Sequence, residues 1–130
     1  MIVVDASVVV TALADDGPDG DQARSRLRGE HLAAPHVIDL EIAAAWRRLG
    51  AAGVIDDRRA SLAMADLQAL RIGRVRHGPL LARCWELRSN LTIYDAAYVA
   101  LAELLEATLL TADRRISNAA GTRCAIEVLR

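Results

Sequence analysis

Short β-branched runs alternate with helix-length stretches along the whole of this chain. That alternation constrains the fold more than any other feature. Strands joined through helices pair in parallel, because a parallel pair needs a long crossover. Ile2-Val3-Val4 opens the series as a buried strand that stops at Asp5. Residues 8–14 read as a helix, Asp15-Asp16-Gly17-Pro18-Asp19-Gly20 as a break, and 21–28 as a second helix. An extended segment at 31–35 leads into 37–49, where Ile38, Ile42, Trp46 and Leu49 recur at helical spacing. A helix at 57–70, a strand at 72–75 and a helix at 80–88 follow, with Pro79 near the first turn of the last. Thr92 opens another helix, whose apolar stripe is Tyr94, Tyr98, Leu101 and Leu105. A strand at 107–111, a short helix at 114–118 and a strand at 124–129 complete the pattern. The expectation is one α/β domain over residues 1–130 with a mostly parallel sheet.

Composition narrows the function. With 130 residues, 53% of them apolar, the chain buries a core without staples. A net charge of −1 excludes a polybasic arm. All 16 basic residues are arginine. Without lysine there is neither a P-loop nor a Schiff-base enzyme. Arginine-only basicity and 25 alanines point to a GC-rich, bacterial source. Cys84 and Cys124 stand far apart and form no zinc motif or disulfide framework, so the expected compartment is the reducing cytoplasm. No apolar run reaches the roughly 20 residues of a membrane helix. The N-terminus also lacks the charged region of a signal peptide.

Four acids fall where an α/β sheet keeps its ligands, beyond the carboxyl ends of the strands. Asp5 follows the first strand and Asp113 follows the Thr111 strand by two residues. Asp95 lies in the first turn of the helix feeding that strand. Glu41 sits early in the 37–49 helix, off its apolar stripe and on the edge shared with Ala45 and Arg48. Each has a structural alternative. Asp5 and Asp113 suit helix caps, and Thr92-x-x-Asp95 has the form of a capping box. A Glu41–Arg48 surface pair would contribute only about 0.3–0.5 kcal/mol. As a group, however, four carboxylates repel one another, and a divalent cation relieves that repulsion. Oxygen ligands suit Mg²⁺ or Mn²⁺, ions that promote phosphodiester hydrolysis. His31, His36 and His77 are scattered and do not argue for zinc.

Four blocks carry a family resemblance: Ile2–Val10, Ala34–Ile42 running on through Trp46-Arg47-Arg48, Leu91–Ala102, and Leu109–Asp113. Their order and content resemble PIN-domain ribonucleases, and within that family the VapC toxins of bacterial VapBC toxin–antitoxin modules. The resemblance implies a three-layer α/β/α sandwich and an endoribonuclease that uses Mg²⁺, with Mn²⁺ as a substitute. It implies cleavage of tRNA, rRNA or mRNA, and so inhibition of translation. It matches Asp5, Glu41, Asp95 and Asp113 to the family's acidic metal site, and Ser7 and Thr111 to polar residues supporting it. It implies a VapB-type antitoxin lying over the active-site groove, and a homodimer. Many PIN domains carry a further acid shortly after the fourth. This chain has Arg114-Arg115-Ile116-Ser117-Asn118 there, where only Asn118 offers a side-chain amide oxygen.

Arg47, Arg48, Arg114 and Arg115 follow two of the acids closely and suit phosphate contact. Arg71, Arg74, Arg76, His77, Arg83 and Arg88 gather positive charge in mid-chain. Tyr94 and Tyr98 are expected in the core, and Leu62, Ala65 and Ala69 either face a dimer partner or the antitoxin or are buried within the monomer. Haloacid-type phosphatases and response-regulator receivers also begin with a strand ending in acid, but both need a lysine. The remaining alternative is a catalytically inactive PIN-like scaffold that binds a protein partner.

Overall fold

The computed structural model describes residues 1–130. Five strands, β1 (Ile2–Val4), β2 (Leu32–Pro35), β3 (Ile72–Val75), β4 (Thr108–Thr111) and β5 (Ile126–Val128), form one sheet in the order β3-β2-β1-β4-β5. Every pairing is parallel, which is stricter than the sequence pattern required. The first strand in the chain is therefore central. Val3 sits opposite Ala33 on one side and Leu109 on the other.

Helices α1 (Ala6–Ala14), α2 (Pro18–Leu27), α3 (Ile38–Ala51) and α4 (Asp57–Ala69) form one layer, with α1 packed against the other three. On the other face, α5 (Leu81–Glu86), preceded by a 3₁₀ turn at Gly78–Leu80, packs on α6 (Ile93–Leu105). Helix α6 in turn lies on β1, β2 and β4. A short α7 (Arg114–Ser117) joins β4 to β5. This is the three-layer α/β/α arrangement. Small side chains let the layers approach: Ala33 and Ala34 on β2 and Ala96, Ala97, Ala100 and Ala102 on α6 are all buried.

Several boundaries differ from the sequence pattern. Helix α1 begins at Ala6, two residues early. Its Val8-Val9-Val10 run is a poor helix former, but Val8 and Val9 are fully buried, and packing overrides propensity. Helix α2 begins at Pro18, inside the expected break, because proline fits the first helical turn. Gly20 is no breaker either. A Cβ there would sit 1.8 Å from the Asp15 carbonyl oxygen, so the glycine permits α1 and α2 to close on each other. Helix α5 stops at Glu86, and β5 is shorter than the 124–129 run. Tyr98 is buried as expected, whereas Tyr94 is 60% exposed. Tyr94 lies in the first turn of α6, where Ile93 is exposed too. No helix is long and apolar enough to cross a membrane.

Candidate active site

The strand order reverses at β1: β2 follows on one side and β4 on the other. Ligands of open α/β sheets bind at such a switch point, beyond the carboxyl ends. Asp5 leaves β1 at this point and is only 6% exposed. Its backbone N–H donates to the Leu110 carbonyl on β4 at 2.9 Å, which extends the ladder by one residue. Its carboxylate does not cap α1. Instead Oδ2 accepts two hydroxyl hydrogen bonds, from Ser7 Oγ at 2.6 Å and Thr111 Oγ1 at 2.9 Å.

Both hydroxyls are themselves fixed. Ala112 N–H donates to Ser7 Oγ at 3.1 Å, and Asp113 N–H donates to Thr111 Oγ1 at 3.0 Å. The turn after β4 thus orients the hydroxyls, and the hydroxyls orient Asp5. Ser7 and Thr111, named from the sequence as supporting residues, both touch this acid.

Glu41 is held differently. It lies one turn into α3, half-buried, and Tyr98 Oη donates to its Oε1 at 2.6 Å. No Glu41–Arg48 pair forms. Burial pushes the Glu41 carboxyl above its ordinary range, and the nearby charges of Asp5 and Asp95 push it the same way. The Tyr98 phenol is held far above its ordinary value by burial and by the Glu41 carboxylate, so it stays a donor. The sequence reading took Tyr98 only as core. The missed signal is that Tyr98 stands three residues beyond Asp95, on the same side of α6, and a buried hydroxyl needs a partner.

Asp95 lies in the first turn of α6, where Thr92 Oγ1 accepts from its backbone N–H at 3.1 Å. The cap expected from Thr92 therefore forms, and the Asp95 carboxylate is half-buried toward the other acids. Burial and the charge of Asp5 raise its pKa. Asp113 behaves in the opposite way. It caps α7 by accepting from Arg115 N–H at 2.9 Å, and the Arg115 guanidinium holds it below the usual carboxylate range.

Four carboxylates thus meet at one end of the sheet, near enough for Asp5 to act on Glu41 and Asp95, and Asp113 on Asp95. In kind the donor set fits a hard divalent cation: all oxygen, with three of four acids free of any ion pair. It is not a preassembled shell, since no three His, Cys, Asp or Glu side chains are grouped as a cation-binding set. Asn118 ends α7 and is exposed.

The arginines divide. Arg114 and Arg115 are exposed beside the site. Arg47 and Arg48 are exposed too, but lie roughly 9–10 Å further along α3 than Glu41. The mid-chain cluster is largely engaged: Arg74 binds Asp39, Arg83 binds Glu103, and Arg88 stacks on Trp85 at 4.4 Å. His77 Nε2 accepts from Val37 N–H and sits edge-to-face with His36.

The family model for the PIN domain matches residues 2–122. A VapC ribonuclease of Mycobacterium bovis, Mb0985, is 44% identical over 132 residues, spanning 99% of this chain and 98% of its own length. Among solved structures, PAE2754 from Pyrobaculum aerophilum superposes with a TM-score of 0.70 at 29% identity, covering 98% of this chain and 83% of that one. VapBC2 from Rickettsia felis, bound to a DNA fragment from its promoter, superposes with a TM-score of 0.71 over 100% of both chains. Its 14% identity makes that likeness one of fold alone.

Proposed function

The chain belongs to the PIN-domain family, among relatives named VapC ribonucleases, and from that premise we propose that it is a Mg²⁺- or Mn²⁺-dependent endoribonuclease, the toxin of a toxin–antitoxin pair. One observation carries the reading. Asp5 is nearly buried, takes two hydroxyl hydrogen bonds on one oxygen, and has no cationic partner, while Glu41 and Asp95 feel its charge. A scaffold has no use for acids kept close and unneutralised. In this reading Asp5, Glu41, Asp95 and Asp113 hold the ion. When bound, it offsets their repulsion and acts as a Lewis acid in phosphodiester hydrolysis.

The chain's own residues do the rest. Ser7 and Thr111 fix the rotamer of Asp5, so that its second oxygen is presented in one direction. Tyr98 does the same for Glu41. Because hydroxyls rather than arginines perform this orienting, the carboxylates keep their full charge for a cation. Arg114, exposed at the same edge, offers a planar fork to substrate phosphate, with Arg47 and Arg48 as outer contacts. The exposed ring of Tyr94, next to Asp95, offers a face for an unpaired base.

The proposed partners are a VapB-type antitoxin that covers this edge and a second copy of the chain. The first is what kinship with relatives named VapC implies. The outward residues Leu62, Ala65 and Ala69 of α4 suit the second.

The test is cleavage of total tRNA and rRNA by the antitoxin-free protein in Mg²⁺, Mn²⁺ or EDTA, beside Asp95→Asn. Discrete products that vanish with EDTA and in the variant are expected. Products that persist in EDTA would remove the cation from the reading. A folded protein that neither cleaves nor binds divalent ions would be the scaffold.

A further inference from the structure

Asp113 differs from the other three acids in one respect: a cation of the chain's own already sits on it. Arg115 Nε lies 3.1 Å from Oδ1 and 3.2 Å from Oδ2, and Nη2 lies 2.7 Å from Oδ2. Both carboxylate oxygens are therefore covered by one guanidinium. The Arg115 backbone N–H adds a bond of 2.9 Å to Oδ1, which belongs to the α7 cap and is independent of the side chain. Asp5, Glu41 and Asp95 make no ion pair of this kind.

We propose that Arg115 is an in-chain counter-ion that takes the cation's place on Asp113 and must swing away before a divalent ion can use that carboxylate. The inference rests on the cation site proposed above. The Arg115 side chain is 88% exposed, while Asp113 is 24% exposed. A guanidinium in that position is solvated whether it grips or releases, so the exchange costs little and is reversible. Release leaves an arginine fork at the rim of the site, beside Arg114. Arg115 is thus the residue that separates an idle form, with Asp113 neutralised, from a loaded form with one more free cation at its edge.

The experiment is Mn²⁺ binding without RNA, followed by calorimetry and by the paramagnetic signal of free Mn²⁺. It uses the wild type, Arg115→Gln and Arg114→Gln. Arg114→Gln removes the same charge one residue away, from a side chain that does not touch Asp113. Arg115→Gln is expected to bind Mn²⁺ about two- to fivefold more tightly than wild type, the scale of an exposed ion pair. Arg114→Gln should gain less than half of that. Arg115→Lys keeps the charge but loses the two-toothed grip. It should fall between wild type and Arg115→Gln, and it serves if the glutamine variant fails to fold. Equal or weaker binding in Arg115→Gln, or an equal gain in Arg114→Gln, overturns the counter-ion role and leaves the cation site standing. Failure of every form to bind Mn²⁺ sinks the cation site, and the counter-ion role with it.

Discussion

Carboxylates in this protein live in two settings. In one they are held by arginine: Asp39 by Arg74, Glu103 by Arg83, Glu127 by Arg26, and Asp16 by Arg59. In the other, Asp5 and Glu41 are held by the hydroxyls of Ser7, Thr111 and Tyr98. An arginine orients a carboxylate and cancels its charge, whereas a hydroxyl orients it and leaves the charge in place. The consequences run in opposite directions. Arg26 draws Glu127 below the ordinary carboxylate range, while burial and like charge lift Glu41 and Asp95 above it. The chain has 16 arginines and sets none on Asp5, Glu41 or Asp95. Uncancelled charge that is also half-buried, beside further acids, is what the proposed cation would offset.

The sharpest break of this contrast is Asp5→Asn. It keeps the shape and loses the charge, and RNA cleavage should fall by at least about a hundredfold while circular dichroism is unchanged. Its counterpart in the other setting is Glu103→Gln, which leaves the half-buried Arg83 without its fork partner. That change should cost about 1–3 kcal/mol in urea unfolding and leave cleavage intact at temperatures where the protein is folded. Full activity in Asp5→Asn, or lost cleavage in folded Glu103→Gln, would erase the distinction.

Thr111→Val asks whether hydroxyl orientation matters. It removes a donor to Asp5 and an acceptor for Asp113 N–H at nearly constant volume. Cleavage should drop about tenfold, with weaker Mn²⁺ binding. The smallest effect is one of pH. Glu41 binds its proton more tightly folded than unfolded, so its charge lowers stability above the raised folded pKa and not below the ordinary 4.5. Metal-free Glu41→Gln should therefore melt slightly higher than wild type at neutral pH, with the gain gone below 4.5. Glu103 has the opposite sign. Despite burial, Arg83 and Arg123 bring it below its ordinary range, so its contribution is present at neutral pH and is lost in acid. Melting curves across pH for the two variants should converge on wild type at low pH from opposite sides.

Most of the architecture was legible because it rests on short-range pattern. Strand β3 spans the expected residues 72–75, and Asp56 and Thr92 cap α4 and α6 where the sequence puts polar residues before helices. The errors came from contacts that pattern does not encode. Gly20 looks like a breaker until Asp15 is brought against it, and Tyr94 falls on the helical stripe of Tyr98 but stays exposed at the first turn of α6. At the site, residue types and strand ends picked out the four acids, and the family resemblance added Ser7 and Thr111. The division of labour among them was not visible. That Tyr98 serves Glu41 and Arg115 covers Asp113 depends on side-chain directions across different elements.

The hydrogen bond between Thr111 and Asp5 joins residues 106 positions apart. The central strand leaves the ribosome long before one of its two neighbours in the sheet, β4. Until that strand emerges, Asp5 has neither its hydroxyl donor from Thr111 nor its ladder bond to Leu110. Growing chains and products broken off before residue 111 therefore lack the site altogether. Under the proposed function, a chain that has not yet reached Thr111 would have no ordered Asp5 with which to cut RNA beside its own ribosome.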